Sequence, residues 1–363
     1  MSSLGSPNPF FIAGKKAYEV ERSLRFNRSD DPQLQRTATS TSNTFTFSTW
    51  LKRASLSTLQ YFFSVGGQGL LFNTDDGIRV YSDGGVNTST AKFRDLSAWY
   101  HVVLSMSSGS ATVYVNNVAY LSSVSGFSLS TSTNYLKVGW LAGSAGEFNF
   151  DGYLAETHLI DGSALTPSSF AETDPVTGQW NPKKYIGGYG TSGFLLNYSD
   201  NSGTTATTLG KDSSGNGNNF TPNNFSVSAG AGNDSLEDTP TNNFSTINPL
   251  AGYSTTFEVP SNGNLDFSLA SSEFAFSSFE IPSSGKWYAE ILFTTFASGR
   301  CGITNLATKN ANKWHGIDHM GGAIRVDDSQ VQSGLSPTIG DNKIVGIKVD
   351  RDAGTIAFTV DGS

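Results

Sequence analysis

The sequence has 363 residues, enough for two or three domains of ordinary size, and its single cysteine excludes an internal disulfide framework. The 12% aromatic content excludes disorder over most of the length, and the net charge of −8 without a basic cluster argues against a nucleic-acid partner. Charged residues make up only 15% of the chain, so the composition predicts an all-β protein with polar, glycine-rich turns. No stretch approaches the roughly 18 apolar residues of a membrane span, so no membrane insertion is expected.

The first 21 residues show no hydrophobic periodicity and carry one apolar run, Phe10, Phe11 and Ile12. We interpret residues 1–21 as an extended docking arm, because adjacent aromatic side chains are costly to leave in water. A frayed terminus is the alternative. Lysines follow the apolar run instead of preceding it, so it is not a secretory signal, and we expect synthesis in a cytoplasm.

Strand patterns then recur at regular spacing through the next part of the chain. They cover residues 23–27, 45–53, 61–65, 69–82, 98–106, 111–121, 135–140 and 150–161. The segment at 98–106 is apolar on both faces, which is typical of a central strand. These patterns predict an antiparallel sandwich over residues 22–175.

Two turn signals and one helix signal lie within this sandwich. The Asp76-Gly77 and Asn116-Asn117 steps predict hairpin turns, because these residues tolerate positive φ. Thr166 and Pro167 predict one short helix, with Thr166 as the cap and Pro167 at the first helical position.

Residues 176–260 are rich in Asn, Gly, Ser and Thr and have only short apolar runs, which predicts a long connection. Strand patterns return in residues 261–363. They cover residues 264–268, 286–296, 300–305, 323–327, 342–349 and 355–360, and the last two form a predicted hairpin. Residues 261–363 are therefore expected to form a second antiparallel sandwich.

Residues 22–175 resemble a concanavalin A-like, laminin-G-type sandwich. The resemblance lies in six segments and in their order along the chain: SLRFN, FTFSTWLKR, AWYHVVLSM, ATVYVNN, YLKVGW and FDGYLAETHLIDGSALTPSSF. The segment KDSSGNGNNFT resembles a piece that usually precedes the first strand of that family, yet here it follows the last one. The resemblance implies that residues 193–227 return and add a strand to the first sandwich, as in a circular permutation.

The last part of the chain resembles a SPRY domain, which is another β-sandwich. The segments that carry this resemblance are SNGNLDFS, SSGKWYAEILF, RCGITN and IGDNKIVGIKVDRDAGTIAFTVDG. The chain stops where SPRY domains add further closing strands, so this sandwich is expected to be incomplete. The fold class predicted for the whole chain is all-β, with two antiparallel sandwiches behind an N-terminal arm.

This architecture is similar to tail-fibre or other virion proteins of marine tailed phages. The resemblance implies a structural protein of the virion tail that docks through Phe10, Phe11 and Ile12 on tail adaptor or nozzle proteins. It also implies a homo-oligomer, expected to be a trimer, that contacts host-surface polysaccharide or neighbouring subunits. A capsid decoration protein and a polysaccharide-degrading tailspike are the alternatives.

Two groups of residues are candidates for glycan binding, which needs aromatic rings flanked by polar groups. Trp140 ends a strand and opens a loop, and Asn149 and Asp151 follow it. The second group lies in the second sandwich and comprises Trp314, His315 and Arg325. For both groups a purely structural role is the alternative.

The sequence predicts no obligatory cofactor, and calcium is the ion that it favours. Asp212, Asn216 and Asn218 offer the oxygen ligands that suit a hard cation. The aspartates near the first hairpin, Asp75, Asp76 and Asp83, offer the same chemistry. Turn formation by Asx-Gly sequences is the alternative.

No catalytic residues are predicted. Glucanases of the sandwich type use a carboxylate cluster of the form E-x-D-x-x-E on one strand, and no such cluster occurs. His101 and His158 fall within strand patterns and are interpreted as packed side chains. The chain is therefore expected not to be an enzyme.

Overall fold

The computed structural model describes residues 18–37, 42–129, 135–141, 148–230, 232–251, 259–269, 274–296, 300–304, 314–318, 323–326, 329–332 and 339–362. They belong to two compact units that divide between Phe279 and Glu280. The predicted docking residues Phe10, Phe11 and Ile12 lie outside the described residues. Among the described residues there is no helix long and apolar enough to cross a membrane.

The first unit is built from seventeen strands. They are β1 (Ser23–Phe26), β2 (Gln33–Thr37), β3 (Phe45–Arg53), β4 (Gln60–Val65), β5 (Gln68–Phe72), β6 (Ile78–Ser82), β7 (Gly85–Thr88), β8 (Tyr100–Ser107), β9 (Ser110–Val115), β10 (Val118–Ser125), β11 (Tyr135–Val138), β12 (Gly152–Asp161), β13 (Ala171–Thr173), β14 (Trp180–Pro182), β15 (Phe194–Leu196), β16 (Thr221–Asn223) and β17 (Ser235–Leu236). Two short 3₁₀ turns, Arg28–Asp30 and Pro167–Ser169, complete it.

Fifteen of these strands form two antiparallel sheets. The eight-stranded sheet has the order β10-β9-β8-β3-β12-β1-β17, with β15 also paired with β12. The seven-stranded sheet has the order β16-β2-β11-β4-β5-β6-β7. Strands β13 and β14 form a separate two-stranded ribbon.

The apolar core lies between the inner faces of the two sheets. Phe47 of β3 stacks on Phe63 of β4, with ring centroids 4.1 Å apart, so the sheets meet through aromatic contacts. Both rings are fully buried, and each contributes about 2–3 kcal/mol through removal of its surface from water. Alternation along each strand therefore leaves one face of each sheet pointing away from this core.

The outer face of the eight-stranded sheet is covered by other parts of the same unit. A second apolar cluster forms there around Trp50, Trp99, Tyr153 and Ala171. This cover explains why every residue of β3 is buried, although one of its two faces points away from the main core.

The polar segment after residue 175 takes part in both sheets. Strand β15 pairs with β12, β16 pairs with β2, and β17 pairs with β1. The circular-permutation hypothesis required sheet contacts between residues 193–227 and 22–172, and the first two pairings are contacts of that kind.

The first unit extends beyond the predicted boundary at residue 260. The Tyr153 hydroxyl donates to the Gly263 carbonyl at 2.6 Å, and Asn264 Nδ2 donates to the Ala54 carbonyl at 2.8 Å. Gly263 has φ +69°, and an added Cβ would press on the Tyr153 ring, so a glycine is needed at this approach.

Three local expectations can be compared with the structure. Asn116 and Asn117 both have positive φ and join β9 to β10 by a two-residue turn, as predicted. The Asp76-Gly77 step instead belongs to a longer loop over 73–77, because the Asp76 carboxylate is held by Arg53 and Arg94. The short helix is only a 3₁₀ turn, and Thr166 makes no capping hydrogen bond to it.

The second unit contains two antiparallel sheets. Its strands are β18 (Lys286–Phe293), β19 (Arg300–Thr304), β20 (Trp314–Asp318), β21 (Ala323–Val326), β22 (Ser329–Gln332), β23 (Lys343–Asp350) and β24 (Thr355–Val360). One sheet has the order β18-β23-β24 and the other β19-β20-β21-β22. The predicted hairpin is β23 and β24. The chain is thus all-β in both units, as the composition predicts.

Candidate functional site

The outer face of the seven-stranded sheet carries a group of aromatic side chains. In β11, Leu136 and Val138 point into the core, so alternation places Tyr135 and Lys137 on the outer face. Trp140 follows directly after this strand and lies on the same face, because the Lys137 Nζ sits 4.1 Å from its ring centroid.

Two tyrosines continue this surface across the sheet. Tyr81 of β6 lies opposite Gly69 of β5 and is 45% exposed. The Tyr61 ring lies against Gly69, where an added Cβ would overlap it, so the missing side chain makes room for the ring. We call Tyr61, Tyr81, Tyr135, Lys137 and Trp140 the aromatic platform.

Lys137 has an unusual environment for a lysine. Only 7% of the residue is exposed, and the Nζ lies 5.9 Å from the Tyr135 ring in addition to its contact with Trp140. The ammonium donates one hydrogen bond, to Gln33 Oε1 at 2.9 Å. Burial lowers the pKa of Lys137 below the usual value for a lysine.

Polar groups surround the platform rings. Ser64 Oγ donates to the Trp140 carbonyl at 2.6 Å, which fixes the start of the loop that follows β11. Arg79 lies on the same face as Tyr81 and donates through Nε to Thr88 Oγ1 at 2.9 Å. The platform therefore combines aromatic rings with hydrogen-bond donors, the combination that recognises the apolar faces and hydroxyls of sugars.

Of the first predicted glycan group, only Trp140 lies on the platform. Asn149 is fully buried and donates through Nδ2 to Asp31 Oδ1 at 2.8 Å. Asp151 hydrogen-bonds with Ser55 and the Arg28 backbone, and its burial raises the pKa of the carboxyl. Asn149 forms a β-bridge with Tyr61 of the platform, but both polar side chains are occupied by protein partners.

The second predicted group lies in the second unit. Trp314 and His315 belong to β20 and Arg325 to the neighbouring β21. The register pairs Trp314 with Thr304, His315 with Val326 and Gly316 with Arg325. The three candidates are thus on adjacent strands.

The predicted calcium loop is organised by its own hydrogen bonds. Asp212 accepts from the backbone N–H groups of Leu195, Ser214 and Asn218 at 2.8–2.9 Å. The Asn216 and Asn218 amides donate to carbonyl groups of the neighbouring segment, including that of Gly193. A cation at Asp212 would have to displace these donors, so the geometry is that of an Asx-stabilised turn.

The aspartates of the first hairpin are similarly occupied by protein partners. Asp75 pairs with Lys92, Asp76 with Arg53 and Arg94, and Asp83 accepts from the Gln68 amide. In the described part of the chain, no three His, Cys, Asp or Glu side chains gather as a metal site would require.

A second cluster of titratable groups lies under the cover of the eight-stranded sheet. Ser48 Oγ is 2.9 Å from His101 Nε2, and Trp180 Nε1 donates to His101 Nδ1 at 3.2 Å. Burial lowers the pKa of His101 to about 3, with a smaller contribution from His158. Because His101 is 1% exposed, this Ser–His pair has no access to a substrate. His101 and His158 are packed side chains, as predicted.

Sequence reasoning missed one cleft, of about 330 Å³, in the first unit. It is lined by Arg25, Asn27, Asp30, Asn224, Phe225, Ser226, Gly232, Asp234, Ser261, Asn262 and Asp266. The buried Arg25–Asp234 ion pair, at 3.0 Å, joins its walls. Three distant segments build this cleft, so no local sequence pattern marks it.

The comparisons with known proteins concern mainly the first unit. Residues 27–171 match the family model of the concanavalin A-like lectin/glucanases superfamily. No curated protein sequence matches the chain.

Several solved structures are similar at low sequence identity. A Bacteroides ovatus protein to which carbohydrate binding is ascribed is 16% identical, with a TM-score of 0.42 over 57% of this chain and 59% of its own. A heptameric SAP-like pentraxin from Limulus polyphemus is 17% identical, with a TM-score of 0.34 over 41% of this chain and 80% of its own. Domain 4 of an arabinanase from Geobacillus stearothermophilus is 20% identical, with a TM-score of 0.31 over 37% of this chain and 68% of its own.

The chain thus spans 59% of the first of these structures. The family match and the two facing antiparallel sheets agree on the fold of this region: residues 27–171 lie in a concanavalin A-like sandwich.

Proposed function

We propose that the first unit is a glycan-binding module and that the aromatic platform is its binding surface. The observation that carries this proposal is the exposure of Tyr81 and Tyr135, 45% and 46%, beside the half-buried Trp140 on one face of a rigid sheet. The opposite outer face of the sandwich is covered by the protein itself, whereas this face presents aromatic rings to solvent. Rings held on a sheet lose little conformational entropy when a sugar stacks on them.

The chemistry of the platform favours binding over hydrolysis. Glycoside hydrolysis uses two carboxyl groups roughly 5–10 Å apart across the scissile bond. The described strands of the seven-stranded sheet contain no Asp or Glu. The superfamily matched by residues 27–171 includes both lectins and glucanases in its description, and we infer the lectin role for this chain.

Glycan-array screening of the full chain, followed by calorimetry on the best oligosaccharide, tests the proposal. Tyr81→Ala and Trp140→Ala should each weaken binding about tenfold or more, since loss of a stacking ring removes about 1.4 kcal/mol or more. Tyr120→Ala is the matched control, because Tyr120 is a 37% exposed tyrosine on the eight-stranded sheet. Unchanged affinity in both platform variants, or equal loss in the control, would overturn the proposal.

We further propose that this module works in a phage virion, as part of a tail fibre that contacts host-surface polysaccharide. The support is a resemblance of architecture to tail-fibre-like proteins across nearly the whole chain, including the SPRY-like second sandwich. In this proposal residues 1–21 dock on tail adaptor or nozzle proteins through Phe10, Phe11 and Ile12, and three copies assemble.

Deletion of residues 1–17 separates docking from glycan binding, because Tyr18 and Val20 pack on the first unit and must be kept. The shortened chain should keep its glycan affinity but disappear from purified particles. Light scattering of the full chain should give the mass of a trimer. Normal incorporation of the shortened chain would overturn the docking role, and a monomeric mass would overturn the trimer.

A further inference from the structure

The seven-stranded sheet has a charge that the rest of the chain does not share. The chain carries a net charge of −8, yet the strands of this sheet contain three cationic side chains, Arg36, Arg79 and Lys137, and no carboxylate. The carboxylates next to the strand ends, Asp31 and Asp83, accept hydrogen bonds from Asn149 and Gln68. Arg79 and Lys137 lie on the outer face with the platform, whereas Arg36 lies opposite the core residue Leu136 and donates to the Ser192 carbonyl and to Asn218 Oδ1. The platform face therefore carries two cationic side chains on an acidic protein.

Lys137 is buried without a carboxylate partner among the described residues. A lysine of which only 7% is exposed normally has a carboxylate beside its ammonium group, because an isolated buried charge is costly. Here its partners are the Gln33 amide oxygen and the faces of Trp140 and Tyr135, and no described carboxylate pairs with it. One hydrogen bond leaves two of its three N–H donors without an acceptor among these residues.

Arg79 offers a second cationic group on the same face. Its Nε donates to Thr88, which orients the guanidinium, and no described carboxylate pairs with its two terminal nitrogens. Lys137 and Arg79 lie on strands β11 and β6, three strand spacings and two residues apart. Strand geometry therefore separates them by about 15 Å at the backbone, more than one sugar ring spans.

We propose that the aromatic platform recognises anionic glycans, in which a carboxylate or sulfate group takes the place of the missing counter-ion of Lys137. The inference rests on the proposed glycan-binding function and names the class of glycan. The aromatic rings hold the sugar face, the Lys137 ammonium binds the anionic group, and Arg79 binds a second anionic group further along the oligosaccharide. A planar guanidinium suits this role because it can bind a carboxylate or sulfate through two parallel hydrogen bonds.

Calorimetry with paired oligosaccharides tests the proposal on the full chain. One arm compares oligogalacturonate with its methyl ester, and the other compares a sulfated galactan oligomer with its desulfated form. The anionic member of at least one pair should bind tenfold or more tightly, and this preference should shrink as salt concentration rises. The arm that shows the preference identifies the anion as a carboxylate or as a sulfate.

Two substitutions at one position separate charge from packing. Lys137→Met keeps an unbranched chain against Trp140 and should abolish the preference for the anionic member over its neutral partner. Lys137→Arg keeps the charge and should retain most of the preference. Arg79→Gln, at a half-buried position, should reduce it severalfold without a change in melting temperature.

The possible failures can be told apart. Equal affinity for anionic and neutral members of both pairs would overturn the anionic class while leaving glycan binding intact. Equal losses for both members in Lys137→Met would also overturn it, because the lysine would then act only through packing. Absence of binding to every glycan on an array would instead overturn the proposed function itself.

Discussion

The two outer faces of the sandwich each hold a lysine beside aromatic rings, and the two lysines differ in their hydrogen-bond partners. On the covered face, Lys52 donates to Asp238 Oδ2 at 2.9 Å, to Asn243 Oδ1 at 2.9 Å and to the Phe244 carbonyl at 2.7 Å. On the open face, Lys137 has a single neutral acceptor, Gln33. Burial lowers the pKa of both lysines, but only Lys52 has a carboxylate that opposes this shift.

This contrast gives Lys52 a structural role and is the basis of the binding role proposed for Lys137. All three N–H donors of Lys52 are used to fasten the returning segment to the sheet, so the protein is its own partner. No such segment covers Lys137 among the described residues, and the cost of burying its charge is offset there only by one neutral acceptor and the faces of Trp140 and Tyr135. A residue that costs stability in this way is expected where a ligand supplies the missing interaction.

The largest expected effect is on the covered face. Lys52→Met should lower the free energy of unfolding by about 3–5 kcal/mol, because Asp238 is then left buried without a cation. Urea denaturation of the full chain measures this. The double variant Lys52→Met with Asp238→Asn should recover part of the loss, since both charges are removed together while an amide oxygen still accepts from Trp99 and the Phe244 N–H. A single-variant loss below about 1 kcal/mol would show that the returning segment is not fastened by this pair.

The second-largest expected effect is a loss of stability at low pH, and it also originates on the covered face. His101 has its pKa lowered to about 3 by burial, whereas an unfolded histidine has a pKa near 6.5. The unfolded state therefore binds more protons between these values, and stability falls as pH decreases, by about 2 kcal/mol between pH 7 and pH 5. Chemical denaturation at several pH values should show this slope, and His101→Gln should flatten it. An equal slope in the wild-type protein and in His101→Gln would show that protonation of His101 does not cause the loss of stability.

On the open face, replacing the buried lysine is expected to increase the free energy of unfolding, by less than the loss expected on the covered face. Lys137→Met should raise the free energy of unfolding by about 1 kcal/mol at pH 7, because an unpaired buried charge is removed. The folded pKa lies below the unfolded value, so the wild-type protein gains stability as pH rises between the two. The advantage of Lys137→Met should therefore vanish above about pH 10.4, the usual pKa of a lysine. Lys137→Arg serves as the control and should show no gain.

The smallest effect on stability should come from the exposed rings. Tyr135→Thr keeps a residue suited to a strand and should change the free energy of unfolding by less than about 0.5 kcal/mol. Its glycan affinity should nevertheless fall severalfold. Thermal melting and calorimetry on the same preparation give both quantities. A large loss of stability with unchanged affinity would mean that the ring serves the fold and not a ligand.

The strands of the first unit were predictable because their patterns are local. Period-2 alternation in YLKV already indicates that Tyr135 and Lys137 share a face, and the Asn116-Asn117 turn follows from residues that accept positive φ. The turn at Asp76 was predicted too short, because a distant partner, Arg53, decides its shape. Local propensity cannot report such a tertiary contact.

The candidate site was predictable only in part. Trp140 was identified because it ends a strand at the start of a loop, but Asn149 was chosen for its proximity in sequence and is buried. Lys137 was missed. Its significance depends on the absence of a carboxylate beside it among the described residues, and that is a property of neighbours on β2 and β4. A single strand pattern carries no information on such neighbours.

The position of β1 has a consequence for synthesis on the ribosome. One edge of this strand pairs with β12 and the other with β17, at Ser235 and Leu236, about 210 residues later in the chain. At roughly 5–20 residues per second, the second edge stays unpaired for roughly 10–40 s after β1 itself has been made. During that time its backbone groups offer a strand edge to neighbouring nascent chains, so the last few residues of this sandwich determine when the first ones become protected from aggregation.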